Sequence, residues 1–498
     1  MRQRIRKDAE NANRLSSIAA LRPALALAFW TALAAACGGA TGAPAAAPPT
    51  TLTLRTLPSL HPPILRIDRP ARGTARGYVF LADKGGAKRP SGVVIADDRG
   101  RVVWYHEVPA GLEATDFRTQ TYRGKPVLTW WQGTISKAGV GQGSYVVYDR
   151  SYRLLATVRA GDGLQGDLHE FQLTPRGTAF ISVYREVPGD LSGVGGPAKS
   201  WIYESVVQEV DIATGKVRFQ WDSLAQVPLS ESLQADEEPA RHASEKRPFD
   251  YFHVNSVSDG PGGTILVSGR NTSALYLLRR DGSIVWRLGG KRSDFGPAAA
   301  VKFRFQHDAR FHGPNTISLF DNGGIPKLEP YTRPLVLRID AASRTARVVK
   351  TFVHPKRIAS PYEGSLELLP GGGAFVGWGG VPKVTEFGPD GKVRFQLTLP
   401  YGDTYRAYRL PWTGDPGGRP RVALDGGRVY ASWNGKRGIA GWRVLGGPDA
   451  GHLAPVASRP WDGIETAIEL GGSPKAIAVE ALDASGRTLG RSAVTGGG

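Results

Sequence analysis

A single cysteine, Cys37, in 498 residues excludes an intramolecular disulfide, so the fold must be held by sheet packing and hydrogen bonding. Long amphipathic helical stretches are absent after residue 50. In their place stand short alternating runs broken by Gly, Asp and Pro, such as Gly263 to Ser268 and Pro334 to Ile339, which lead to the expectation of an all-β protein. A chain of this length exceeds one ordinary core and calls for several domains or one large closed architecture. Acidic side chains are the scarcer charge, 45 against 63 Lys and Arg, and the formal net charge is +18. Such a surface favours anionic partners: sulfated or phosphorylated small molecules, anionic lipid or polyanionic wall polymers. No nucleic-acid reader motif accompanies the charge, and no nucleic acid is expected as a partner.

The apolar run from Ala24 to Ala36 follows Arg2, Arg4, Arg6, Lys7, Arg14 and Arg22 and ends at Cys37. A basic region, a short apolar core and small residues before a cut form an export signal, expected over residues 1–36. Leu33-Ala34-Ala35-Ala36-Cys37 resembles the lipobox of bacterial lipoproteins. That resemblance implies lipidation of Cys37, a tether at the outer face of the membrane and a flexible spacer over 37–55. The alternative is an ordinary cleaved signal and a secreted protein. Six cations and two acids precede Cys37, so +14 of the net charge remains beyond it.

A two-part phrase recurs about six times between residues 97 and 400. One half is a turn with a hydrophobic exit: Asp98 to Trp104, Asp149 to Leu154, Ala213 to Phe219, Asp281 to Trp286, Ala342 to Val348 and Asp390 to Phe395. Its starts lie about 50 to 70 residues apart, a spacing that suits propeller blades. The other half opens on a polar residue and runs through a strand, a turn and a second strand: His169 to Gly177, His253 to Gly263, His307 to Asn315 and Glu363 to Gly372. Radial repetition points equivalent positions of every blade at one channel, so histidines distant in sequence should meet. Trp104, Trp286 and Trp378 read as blade-packing residues.

The propeller is assigned to residues 56–417 and a C-terminal module to 418–498, the boundary following the breakers from Trp412 to Gly418. Beyond it Val429 to Trp433, Gly441 to Leu445, Glu465 to Leu470 and Ala476 to Leu482 read as strands of a small fibronectin-like β-sandwich. Segments 185–200 and 223–250 interrupt the repeat, where a lid or substrate collar, or plain solvated loops, would be placed.

The polar residues that open the strands carry the chemistry. His253 and Asn255, two apart, are expected on one strand face, and Arg270 ends the next strand and can return toward them. An imidazole pair, an amide and a guanidinium around one cavity describe a site for a tetrahedral oxyanion. Arg310 is a second candidate cation, whereas Asp321 and Asn322 read as turn formers.

The stretches His253-Val254-Asn255-Ser256, Ser268-Gly269-Arg270, Gln306-His307 and Phe320-Asp321-Asn322-Gly323, in this order, resemble the bacterial aryl sulfotransferase family, the type that takes an aryl sulfate rather than a nucleotide as donor. The similarity extends over roughly residues 70 to 410. It implies a six-bladed propeller, an aryl sulfate and a phenolic acceptor as partners, no cofactor or metal, and ping-pong transfer through a sulfated histidine. The resemblance puts the nucleophile at His307, sulfuryl binding at His253, Asn255 and Arg270, and the upstream histidine at His169; by repeat position it adds a late hydroxyl contact at Ser365. Neutral His307 would attack sulfur, the binding residues would hold the sulfuryl oxygens, and His169 would relay a proton.

Two other readings stand beside this one. A non-catalytic surface propeller could bind anionic glycans or small anions. His169, His253 and His307 could instead be three ligands of zinc, although Arg270 beside a divalent cation opposes that.

Overall fold

Six aspartates shape the recurring turns. Asp97 Oδ1 accepts from the N–H groups of Arg99 and Arg101, and Asp149 Oδ1 from those of Ser151 and Arg153. Asp211, Asp281, Asp340 and Asp390 likewise accept from the backbone two residues on. A carboxylate that caps its own turn mimics a backbone hydrogen bond and reverses the chain without a helix. Each turn feeds a strand: Val102–Glu107, Leu154–Val158, Val217–Asp222, Ile284–Gly289, Thr345–Thr351 and Val393–Thr398.

In the computed structural model, which describes residues 49–496 apart from 86–88, 235–237, 297–300, 325–329 and 401, each of those six strands is the fourth of a four-stranded antiparallel group, and Arg66–Arg69 adds a fifth strand outside Val393–Thr398. The inner strands are Glu113–Tyr122, Gly166–Leu173, Val254–Asp259, His307–Phe311, Ser365–Leu368 and Ala407–Leu410. The last of these joins Tyr78–Asp83, so both ends of this region share one sheet. Successive inner strands contact one another, and Ala407–Leu410 contacts Glu113–Tyr122, which completes a ring. A single pairing, Gly143 with Gly166, merges the second and third groups into one eight-stranded sheet. Strand accounts for 49% of the chain and helix for 3%, so the protein is nearly all-β, as expected.

Apolar clusters lie between adjacent groups. One joins Leu266, Leu275 and Trp286 of the fourth group to Ile317, Leu319 and Leu335 of the fifth. Trp104, Trp286 and Trp378 are all buried in such clusters. Strands packed on both faces read as continuous apolar runs, as Ala274–Leu278 does.

At the centre of the ring three arginines and three carboxylates are buried together. Glu170 takes Arg118 Nη2 at 2.7 Å and Arg310 Nη2 at 2.6 Å, with Arg406 at 3.4 Å. Asp116 pairs with Arg118 at 3.2 Å and Arg406 at 3.1 Å, and Asp308 with Arg310 at 2.9 Å. Val257 N–H donates to Glu170, Leu366 N–H to Asp308 and Tyr408 O–H to Asp116, so every group contributes to one balanced network.

Residues from Pro49 onward fold as one compact unit. Those expected in the spacer's end pack rather than dangle: Leu52 N–H donates to Pro62 O at 2.8 Å, and Leu54 is 4% exposed. The physical reason is that Leu54 belongs to the apolar cluster of the first and last groups. The expected signal and Cys37 lie outside the described residues. Strands Arg421–Asp425, Arg428–Ser432 and Glu465–Glu469 form one small sheet, and Gly441–Gly447, Ala454–Pro460, Ala476–Leu482, Thr488–Arg491 and Thr495–Gly496 another. Both contribute to a cluster containing Val429, Trp442, Ile468 and Ile477. This part leans on the first group, where the Asn434 amide bonds both the N–H and the C=O of Tyr105.

Burial favours a neutral carboxyl at Glu170, but Arg310, Arg406 and Arg118 outweigh it and bring its pKa down to about 2. Replacing Glu170 with Gln strips a counter-charge from buried guanidiniums and is expected to cost about 3–5 kcal/mol, read from denaturant midpoints. Since the folded pKa lies below the unfolded value of roughly 4.3, the stabilisation is complete above that pH and is lost as pH falls toward about 2. Acid titration followed by circular dichroism should therefore show Glu170→Gln losing less stability over that window than the wild type.

Candidate functional site

Four inner strands lose register where their polar residues sit. The ladders shift between Thr115 and Arg118, between Val254 and Ser256, and between His307 and Arg310, and Asp167 to Glu170 lie off the ladder altogether. Asp116, His253, Asp308 and Glu363 adopt left-handed backbone, with φ between 52° and 60°. Such residues cost about 1–3 kcal/mol each and persist where their surroundings over-determine them. A bulge re-aims the side chains beside it. Here the bulges turn imidazoles toward one another.

His169 and His253 meet edge to face, their Nε2 atoms 3.2 Å apart and ring centroids 4.8 Å apart. His169 Nδ1 contacts Asp167 Oδ2 at 2.5 Å, and His253 Nδ1 contacts Asp250 Oδ2. The rings are 4% and 7% exposed. Tyr184 lies 5.6 Å and 5.5 Å from the two rings, and Tyr405 lies 5.5 Å from His169. Burial lowers the His253 pKa, opposed by Asp250 and reinforced by His169 and Arg270. Tyr184 arrives on Thr178–Gly189, which pairs along its whole length with Ser200–Asp211. The expected loop 185–200 begins and ends as paired strand, leaving 190–199 as the connection, and Val227, Ala240 and Phe249 of the second segment pack in one cluster with Tyr184 and Val187.

His307 is 2% exposed, and its tautomer follows from its neighbours. The Asn322 amide group donates to the carbonyls of Ser360 and Glu363, both at 3.0 Å, so Asn322 Oδ1 is the atom that faces His307 Nδ1 at 2.7 Å. An amide oxygen only accepts, which puts the proton on Nδ1 and the lone pair on Nε2. Glu363 N–H donates to that Nε2 at 3.3 Å. Burial, with Arg270 next, lowers the His307 pKa well below the ordinary imidazole value, and His253 and His169 add to the shift. The ring is neutral at neutral pH.

Arg270 returns to this neighbourhood: its N–H donates to His253 O at 2.9 Å, and its guanidinium stacks 4.5 Å from the Phe305 ring. Its Nη1 bonds Asn271 Oδ1 at 2.7 Å. Among the described residues no carboxylate lies within ion-pair distance of it, in contrast to Arg118, Arg310 and Arg406.

Three expected site residues are placed differently. Asn255 sits in a bulge next to the left-handed His253, so simple alternation does not hold there; its amide donates to Gln306 O at 2.7 Å. Arg310 is held in the central ion network by Glu170 and Asp308. Ser365 is fully buried, its hydroxyl donating to Ala407 O and accepting from Ala407 N–H, which ties the last group to the first.

Several residues escaped the sequence reading. Asp167 and Asp250 lie two and three residues before their histidines, a local signal that was there to be used. Asn322 was read as a turn former and is the group that orients His307. Lys84, partly buried, pairs with both Glu363 and Asp403, the latter at 3.0 Å, from positions too distant in sequence to be linked. The zinc reading finds no support in this geometry: the Nε2 atoms of His169 and His253 face each other, and among the described residues no group of three His, Cys, Asp or Glu is arranged to hold a metal.

A family model described as Arylsulfotransferase (ASST) matches residues 118–399, more than half of the chain. The protein belongs to the arylsulfotransferase family, which implies a sulfotransferase acting on aryl sulfates and phenols. No curated protein matches the sequence. Among solved structures, a protein of unknown function from Bacteroides caccae is 14% identical with a TM-score of 0.40, covering 67% of this chain and 98% of that one. A catalytically inactive virginiamycin B lyase from Staphylococcus aureus with quinupristin is 8% identical with a TM-score of 0.34, covering 75% and 97%.

Nitrogen-15 spectra of histidine-labelled protein should find His307 neutral at pH 7 with a single, Nδ1-protonated tautomer. Asn322→Ala should replace that state with a mixture; an Nε2-protonated ring in the wild type would contradict the assignment.

Proposed function

We propose that this protein is an aryl sulfotransferase that works through a sulfohistidine at His307. The observation that carries the reading is the buried, neutral imidazole whose Nδ1 is tied to Asn322 and whose Nε2 holds the lone pair. The Nε2 atom attacks sulfur of a bound aryl sulfate as the bond from sulfur to the phenolic oxygen breaks. The incoming sulfuryl group displaces the Glu363 N–H from Nε2, and that N–H is then beside the sulfuryl oxygens as a donor. Arg270, free of carboxylate ion pairs among the described residues, supplies a charged fork for the same oxygens. A phenolic acceptor then attacks sulfur and regenerates His307; two easier steps replace one difficult transfer.

In this reading Asn255, Ser365 and Arg310 serve by holding inner strands in place. We read the six four-stranded groups as blades of a propeller and the two terminal sheets as a β-sandwich docked on its first blade. The basic N-terminal segment and Cys37 support export and a lipid tether at the outer face of the membrane.

Incubation with a chromogenic aryl sulfate and a phenol tests the reading. Phenol release should depend on both donor and acceptor, be insensitive to chelators, and fall by at least about 10³-fold in His307→Ala. Full activity in His307→Ala would remove the nucleophile, and loss of activity with a chelator would revive a metal-dependent mechanism.

A further inference from the structure

We propose that Asp167, His169, His253 and Asp250 form a single proton-holding chain, in which the two carboxylates are positioning residues and the histidine pair lends one proton to the departing phenolate and recovers it from the incoming phenol. This rests on the sulfotransferase reading above.

The inference begins with a count. The four side chains make three contacts in series: Asp167 with His169 Nδ1, Nε2 with Nε2, and His253 Nδ1 with Asp250. A hydrogen bond needs one proton, and carboxylates and bare ring nitrogens can only accept. Two neutral imidazoles supply two protons for three contacts. If each Nδ1–H donates to its carboxylate, the two Nε2 lone pairs confront each other at 3.2 Å, an arrangement of buried acceptors with nothing to hold it. A third proton between the rings satisfies all three contacts and leaves the set with a net charge of −1 instead of −2.

The surroundings fit a held proton. Tyr184 and Tyr405 face the rings as aromatic walls, and the Tyr184 hydroxyl is spent on Val254 O. Arg270 interacts electrostatically with His253, and Glu363, paired with Lys84, interacts electrostatically with His169.

The cycle balances. As the bond from His307 Nε2 to sulfur forms and the bond from sulfur to oxygen breaks, the phenolate oxygen takes the third proton and leaves as phenol. The acceptor phenol gives its proton back to the pair as its oxygen attacks sulfur and the bond from nitrogen to sulfur breaks. No external acid or base is consumed.

Neutron diffraction from crystals of the perdeuterated full chain near pH 7 counts the protons directly, whether or not any substrate is turned over. Three deuterons across the three contacts are expected; two would overturn the proposal. Kinetics then test the relay in Asp250→Asn, which keeps an oxygen for Nδ1–H to donate to but removes the charge. Transfer from sulfates of weakly acidic phenols should fall by about 10²-fold, with sulfates of strongly acidic phenols little changed, because only poor leaving groups need the proton. Asp250→Glu should recover part of the loss. Equal slowing of every donor would reduce Asp250 to a structural role and overturn the relay. Absence of transfer in the wild type, with three deuterons present, would remove the sulfotransferase reading and leave the proton count standing.

Discussion

The buried ion network around Glu170 is the constraint on which the remaining structure depends. Inner strands that converge on one axis bring backbone polar groups and side chains into a place water reaches poorly, and each must find a partner there. Three guanidiniums and three carboxylates supply those partners, and Arg406 also donates to the carbonyls of His169 and Asn255, both at 2.9 Å. Glu170 directly follows His169, and Asp308 directly follows His307. The same bonds that close the ring therefore fix the backbone from which two of the three imidazoles project.

That arrangement separates structural charge from usable charge. Arg118, Arg310 and Arg406 are all engaged by carboxylates, so they contribute no net positive field. Arg270 stands outside the network, stacked on Phe305 and near the histidines, and is the guanidinium left for an anionic group. Burial, with Arg270 next, favours neutral His307, the form that the proposed nucleophilic role requires. Lys84, Glu363 and Asp403 form a second, partly buried ion cluster beside the peptide N–H that contacts His307.

What was legible in the sequence was local. The recurring turns and the strands they feed follow from residues within a few positions of one another, and all six strands appear, although the capping aspartates in three turns are Asp97, Asp211 and Asp340 rather than the residues on which those turns were opened. His169, His253, His307 and Arg270 were singled out because repeated strand openings converge when groups close into a ring, and His169 meets His253 while Arg270 bonds the His253 carbonyl. The errors arose where local periodicity fails. Asn255 was assigned to the face of His253 by alternation, a rule that does not carry through the bulge between Val254 and Ser256. Arg310 looked like a site cation because its partner Glu170 lies 140 residues away. Ser365 was assigned by repeat position, but its hydroxyl is used to join the last group to the first. Lys84 with Glu363 shows the same limit from the other side: no pattern within either segment announces the pair.

The measurement that tests the central claim most directly is the location of a covalent sulfuryl group. The protein would be mixed with an aryl sulfate without acceptor, quenched under alkaline conditions, cleaved, and its peptides weighed. The peptide containing His307 should gain the mass of one SO₃ group and lose it when a phenol is added. A sulfuryl group on any other residue, or turnover with no modified peptide, would contradict the account.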